Sequence, residues 1–369
     1  MTNLRLKAAA MFWVPLLCFS CIQDEPLNPE ADILTFSLPA AVSLAEASFN
    51  QGDISVTVRK GADVSSVVPL IKITAGAVIE PAADVPQDFN RPVVYTVTAA
   101  DGVHRRVYTV HTLSHSLYYY DFERWEALNP PFRYETPVEF DADGQRAVYW
   151  DSSNKGIALY QQFTDAALFP IHKTDRSAAG AYGAEMITGK GPGKIFSRNI
   201  PVAAGSLFAG VMNPENALKD PLLATRFGQP CLEKPLRFRG YYNYKPGTGD
   251  YITPDGIAPN RRDSCTINAV LFRVDAGVQL LDGTNILTHP NIIALALLPE
   301  KDRAGTAGDE YVPFDIPFEY RSNEPLDFEK NRYKLAVVFS SSFKGDLYEG
   351  VIGSRLRVDN VEIITGENE

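Results

Sequence analysis

The chain is 369 residues long, 45% hydrophobic, with four cysteines and a formal net charge of -10. The hydrophobic content is ample for packed cores, and the length suggests two domains, or one small and one large. The acidic balance excludes a nucleic-acid partner, because binding to polyphosphate rests on basic surface.

The first twenty residues carry Arg5 and Lys7, then an apolar run from Ala8 to Phe19, then Ser20-Cys21. A basic start, a short apolar centre and a small residue before the cut describe a secretory signal over residues 1–20. The run is too short to span a bilayer as a helix, which needs about 20 apolar residues. Cys21, after small Ser20, is the expected lipidation site; Cys18 follows Leu17, a poor cleavage neighbour. Residues 21–31 read as a Pro/Asn-rich acidic tether with Asp24 and Glu25, and this stretch resembles the acidic export signal of Bacteroides surface lipoproteins. An outer-membrane lipoprotein held by its acyl chains is expected, at the cell surface or facing the periplasm.

Residues 32–113 alternate apolar with polar or β-branched side chains in short runs: "ILTFSL", "DISVTVRK", "LIKITAGAVIE", "PVVYTVTAA" and "RRVYTVHT". That is strand patterning, and Asp101-Gly102 between the last two runs is a hairpin signal. The segment reads as an Ig-like β-sandwich. Its "VVYTVTAADGVHRRVYTV" resembles the Ig-like modules that open many Bacteroides surface lipoproteins, which implies a spacer or adhesion module without chemistry.

Aromatic density jumps at "HSLYYYDFERW", placing a boundary near Ser114. Residues 114–366 then offer ten strand candidates: "QRAVYW", "GIALYQQF", "GAEMITGK", "GSLFAGVM", "LRFRGYYNYK", "CTINAVLFRV", "NIIALALL", "YVPFDIPFEY", "RYKLAVVFSSS" and "SRLRVDNVEIIT". With helix patterns nearly absent, a jelly-roll sandwich is expected, making the whole chain all-β. If segments 236–245 and 265–274 form a hairpin, Cys231 and Cys265 lie at its opposite ends, beyond the spacing of under about 7 Å between Cα atoms that a disulfide requires. Two free, buried thiols follow; a bridge would require those strands not to be neighbours.

The blocks "VYWDSSNKG", "AAGSLFAG", "FGQPCLEKPLRFRGYYNYKPG", "DSCTINAVLF" and "LRVDNVEI" resemble, in this order, the putative carbohydrate metabolism domain of Bacteroides lipoproteins, over roughly residues 118–365. The opening Phe-Glu pair and closing Asp-Asn-Val also resemble jelly-roll carbohydrate-binding modules. The resemblance implies an oligo- or polysaccharide partner, and other surface glycan-uptake proteins as possible company.

Strand parity puts Leu236, Phe238, Gly240, Tyr242 and Tyr244 on one face, a candidate core in which Gly240 marks close backbone approach. Arg237, Arg239, Tyr241, Asn243 and Lys245 share the other. An aromatic ring flanked by Arg and Asn suits a sugar, whose C–H faces stack while its hydroxyls bond; an amphipathic outer strand explains the pattern equally. Trp150, Asp151 and Asn154 offer a second platform, against the reading of Trp150 as core. The expected ligand residues are Trp150, Asn154, Arg239, Tyr241 and Asn243.

Glycoside hydrolysis needs two carboxylates flanking the scissile bond, and Asp121, Glu123, Glu139, Asp141, Asp143, Asp151 and Glu185 are available without any pair standing out. Glu123 and Asp359 have another explanation. In calcium-containing jelly rolls an opening-strand glutamate and a closing-strand aspartate meet at one structural cation, so calcium is the one cofactor to consider. "GKGPGK" lacks Walker spacing and reads as a hairpin loop. "DADG" at 141–144 is a turn, and His111 and His115 lack a zincin glutamate. A glycan-binding surface lipoprotein is the leading reading, followed by a glycoside hydrolase and then a structural or adhesive subunit.

Overall fold

The protein is described from a computed structural model covering residues 27–43, 47–50, 52–58, 62–113, 118–127, 133–140, 146–161, 163, 165–195, 198–213, 220–322, 325–328 and 330–366. The leader, Cys21, Asp24, Glu25, Ser114, His115, Asp141 and Asp143 lie outside these residues. No described helix is long and apolar enough to cross a membrane.

The N-terminal unit contains β1 (Ile33–Ser37), β2 (Ser48–Asn50), β3 (Asp53–Thr57), β4 (Leu70–Ile73), β5 (Val78–Glu80), β6 (Val93–Thr98) and β7 (Arg105–Leu113). β1 pairs with β4; the others form a sheet in the order β2-β3-β7-β6-β5, with β3 parallel to β7. Ile33 and Phe36 of the small sheet pack with Ile54, Tyr95, Val97 and Val110 of the large one. The Asp101-Gly102 hairpin forms as expected: Thr98 faces Arg105, Gly102 is left-handed at φ +70°, and Asp101 accepts the Val103 and His104 amides. "LIKITAGAVIE" is not one strand. It breaks at Gly76, left-handed at φ +81°, and its halves enter different sheets.

The larger unit begins with β8 (Tyr119–Tyr120), β9 (Trp125–Ala127), β10 (Glu135–Phe140), β11 (Arg146–Ser152), helix α1 (Asn154–Ile157), β12 (Ile171–Thr174) and β13 (Gly183–Ile187). There follow β14 (Gly189–Ile195), β15 (Arg198–Ala203), β16 (Ser206–Met212), β17 (Thr225–Phe227), β18 (Gln229–Cys231), β19 (Lys234–Lys245), β20 (Ile252–Thr253) and β21 (Gly256–Ile257). The chain finishes with β22 (Thr266–Val274), β23 (Leu281–Asp282), β24 (Ile292–Leu297), β25 (Val312–Pro317), β26 (Glu319–Tyr320), β27 (Arg332–Ser340) and β28 (Arg355–Gly366).

An eleven-stranded sheet runs β26-β24-β22-β27-β16-β11-β10-β9, with β17, β18 and β23 attached; a six-stranded sheet runs β12-β13-β28-β19-β25, with β8 on β28. The core lies between them. Trp150, Ile267, Val337 and Phe339 of the larger sheet meet Phe238, Tyr242, Tyr244 and Val358 of the smaller. A second apolar layer of Phe208, Val270 and Phe272 lies under Phe227 and Leu281, on the other face of the larger sheet. The all-β expectation holds.

Three local expectations change. "GIALYQQF" opens as the helical turn α1 rather than a strand, because Ile157 and Ala158 donate back to Ser153 and Asn154. "GKGPGK" is the strand β14, paired with β15, not a loop. β19 and β22 are not a hairpin but lie in opposite sheets. Cys231 and Cys265 are nevertheless free and buried. Cys231 faces Tyr333 while Thr266, next to Cys265, faces Ser340, so the thiols sit seven β27 residues apart, roughly 23 Å at strand rise.

Candidate functional site

A cleft of about 430 Å³ lies on the outer face of the larger sheet. Register builds its floor in two rows. Ser206, Ser340 and Thr266 stand side by side on β16, β27 and β22, and Phe208, Val338 and Asn268 form the next row. Their strand neighbours Leu207, Phe339 and Ile267 point into the core, so alternation turns this polar and apolar set outward. The Ser206 and Ser340 hydroxyls bond at 2.8 Å, and Ser340 Oγ is 3.1 Å from the Ser342 carbonyl. Among the described residues, the Asn268 carboxamide and the Thr266 hydroxyl make no hydrogen bond, although both residues are buried at the floor.

One wall is α1 and its following turn, with Ser153, Ile157 and Tyr160. Asn154 anchors it, donating to the Ile171 carbonyl at 2.7 Å and accepting the Ile171 amide at 3.1 Å. Beneath, Lys155 Nζ meets Asp151 Oδ2 at 2.5 Å, and the same oxygen accepts the Met212 amide at 2.7 Å. This buried ion pair ties α1 to β11 and β16. The Tyr160 hydroxyl is buried without a partner among the described residues. Leu222, Gly283, Ile286 and Leu287 form the opposite wall.

Residues 343–348 close one end. Tyr348 is left-handed at φ +59°, a conformation unfavourable for a bulky residue that recurs at ligand clamps. Asp263 holds this segment: its Oδ2 accepts Ser342 Oγ at 2.6 Å, Ser354 Oγ at 2.8 Å and the Val351 amide at 2.8 Å. At the rim, burial pushes the Asp346 carboxyl up, Glu349 adds to this, and Lys344 opposes it. Rings and aliphatic walls over unpartnered amide and hydroxyl groups suit a ligand with apolar C–H faces and many hydroxyls.

The expected ligand residues do not converge. Trp150 is 4% exposed and packs against Tyr120, Phe122 and Phe339. It is core, as a large ring on the inward parity of β11 must be. Asn154 is fully buried, its amide committed to Ile171. Asn243 is 1% exposed and donates to Thr306, Gly308 and Glu310. None of these three presents a group to a ligand. Tyr241 is 43% exposed and Arg239 lies beside it, paired with Glu362 at 2.6 Å on the outer face of the smaller sheet.

Tyr242 and Tyr244 are core, as parity expected. At Gly240 a Cβ would press on the Phe314 ring and the Val361 backbone at 3.0 Å. Leu236 departs from the expectation: β19 carries an extra residue there relative to β28, and the bulge leaves Leu236 39% exposed.

Glu123 and Asp359 both bind the loop 178–182, and burial, with Glu123 adding to it, pushes the Asp359 carboxyl up. Their oxygens face donors. Asp359 Oδ2 accepts the Ala178 and Ala179 amides at 2.6 and 3.1 Å, and Glu123 accepts those of Ala181 and Tyr182. Gly180 turns this loop at φ +76°, and a Cβ there would overlap Glu123 Oε1. A ring of N–H groups is an anion nest, whereas calcium requires surrounding oxygens. The residues do not fit calcium, and among the described residues no three His, Cys, Asp or Glu side chains form a metal-sized group.

The floor residues Ser206, Thr266, Asn268 and Ser340 escaped the sequence reading. Their signal was a polar residue at every second position of otherwise apolar strands, as in "CTINAV".

The fold is a two-sheet sandwich with an open, mixed polar and apolar cleft on one sheet. Residues 121–364 match the family described as "Putative carbohydrate metabolism domain", and residues 33–112 match "SGBP, N-terminal", the opening domain of surface glycan-binding proteins. The chain belongs to the putative carbohydrate metabolism domain family. A solved structure from Bacteroides thetaiotaomicron VPI-5482, titled a putative glycoside hydrolase, is 33% identical, with a TM-score of 0.80 over 94% of this chain and 99% of that one. A second so titled, from Bacteroides vulgatus ATCC 8482, is 27% identical, with a TM-score of 0.61 over 68% of this chain and 99% of that one. No curated protein matches the chain.

Proposed function

We propose that the protein is a cell-surface lipoprotein, anchored through Cys21, that captures a glycan in the cleft and works beside other surface glycan-uptake proteins. The observation that carries the reading is the floor. Asn268 and Thr266 present unpartnered groups between Phe208 and the aromatic end wall. A carboxamide offers donor and acceptor together, which suits adjacent hydroxyls of one sugar ring. The surface glycan-binding N-terminal domain supports the same location.

Hydrolysis is the second reading, because the two similar structures are titled putative glycoside hydrolases. A carboxylate with a raised pKa beside a second carboxylate is the pattern of an acid/base pair. Glu139 and Asp121 have it, but Glu139 is 4% exposed and does not line the cleft. Asp346 is the one carboxylate among the described lining residues, and hydrolysis needs two. Binding is therefore favoured.

The test is a glycan array, followed by incubation of each hit with the protein for a day. Intact glycan, with affinity lowered at least several-fold in Asn268→Ala, is the expected result. Released sugar would replace binding by hydrolysis, and unchanged affinity in Asn268→Ala would remove the cleft.

A further inference from the structure

On the outer face of the smaller sheet, away from the cleft, two tyrosines stand exposed: Tyr119 on β8 at 46% and Tyr241 on β19 at 43%. Both flank β28. Tyr119 and Arg239 face Glu362 from opposite sides, and Tyr241, two residues beyond Arg239, faces Asp359. Crossing two strand spacings and two residues of rise puts the tyrosine backbones about 12 Å apart. That is roughly the length of one disaccharide in an extended chain.

The ground between the rings is polar and charge-paired. Arg239 is held by Glu362, the Tyr119 hydroxyl donates to Asn360 Oδ1, and Arg237 beyond is held by Asp315. A charged polymer would have to break these pairs, whereas a neutral sugar can hydrogen-bond to their outer edges. The amide nest around Glu123 and Asp359 ties the loop 178–182 down next to this ground. Tyr119 and Tyr241 each leave over two-fifths of their surface to solvent. Two such rings, at this spacing, match pyranose faces along a ribbon.

We infer that this face is a second carbohydrate-contact surface, in which Tyr119 and Tyr241 stack on alternate sugar rings of a neutral, extended β-1,4-linked polysaccharide. The inference rests on the carbohydrate reading above but not on the cleft. A short oligosaccharide fills the cleft alone; a long chain also engages the tyrosine face, on the same molecule or on a neighbouring copy at the cell surface.

The experiment uses the full-length protein in affinity gels cast with soluble β-1,4-glucan, β-1,4-mannan or β-1,4-xylan, beside calorimetric titration with a tetrasaccharide of the retained polymer. Tyr119→Ala and Tyr241→Ala should each weaken retention roughly three- to ten-fold. Their double variant should weaken it further, with unchanged melting temperature and unchanged tetrasaccharide affinity. Tyr241→Phe keeps the stacking face and should be retained like the parent. Failure of the cleft has a separate signature, an Asn268→Ala protein that titrates the tetrasaccharide normally. Parent-like retention of the double variant overturns the second surface, as does a parent that none of the three polymers retains.

Discussion

Replacing Asp263 by alanine removes the group that shapes one end of the cleft. Its Oδ2 accepts three hydrogen bonds of 2.6–2.8 Å, from Ser342 and Ser354 hydroxyls and the Val351 amide, and Oδ1 accepts the Ser264 amide at 2.9 Å. Ser342 and Ser354 are almost wholly buried, so water cannot take over without opening the loop. Hydrogen bonds to a charged group contribute about 1.5–3 kcal/mol each, and a buried group left without a partner costs about 1–3 kcal/mol. The bonds share one carboxylate and do not add, so the whole change should be about 4 kcal/mol. For a domain of 150–250 residues each kcal/mol moves the melting temperature about 2–4 °C, giving a fall of roughly 8–16 °C.

Calorimetry of the full chain should show this fall in the transition of the larger domain only. Asp263→Asn retains one acceptor oxygen and should fall about half as far. Glycan affinity should drop in both variants at a temperature where they remain folded, because residues 343–348 lose their anchor. A fall below about 2 °C in Asp263→Ala would refute the energetic argument. A large fall with parent-like affinity would separate this segment from the cleft.

Two further predictions concern the carboxylates that the cleft does not use. Gly180→Ala places a Cβ on Glu123 at a positive φ and should destabilise by about 2–4 kcal/mol, whereas a calcium chelator should leave the parent's melting temperature unchanged; a chelator-dependent fall would restore the cation. Burial, reinforced by Asp121, pushes Glu139 up to about 8 from 4.5, so the folded state keeps a proton that the unfolded chain releases, and this contribution is present below about pH 4.5 and lost as pH rises to about 8. Glu139→Gln should flatten that window in urea midpoints taken from pH 5 to pH 9; a slope equal to the parent's would refute it.

Strand positions were legible because period-two alternation is a local signal. Which sheet each strand joins was not, since β19 and β22 read as a hairpin but lie in opposite layers. Parity gave the correct face for Tyr241, Tyr242 and Tyr244 because "FRGYYNYK" runs unbroken beyond the bulge at Leu236. It could not see that Asn243 would be covered by residues 306–310, a segment over sixty residues away. The "VYWDSSNKG" block was singled out for Trp150 and Asn154, both of which are buried. Its neighbours Ser153 and Gly156 are the ones that line the cleft. An aromatic ring draws attention in a sequence, yet its size makes it the residue most valuable to the core.

The closing "VDNV" segment decides which side chains of β28 face the core and which face outward. Between Arg239 and Tyr241 on β19, β28 has one residue too many, and Asn360 absorbs it in the left-handed region at φ +45°. Asparagine tolerates that conformation where a β-branched residue would not, and such a bulge re-aims the side chains around it. It turns Val361 back into the core while Asp359 and Glu362 both remain outward. If Asn360 took regular strand geometry instead, alternation after Asp359 would send Val361 outward and Glu362 into the apolar core. The same residue therefore preserves the aromatic core, gives the 178–182 loop its carboxylate and keeps Arg239 paired beside Tyr241.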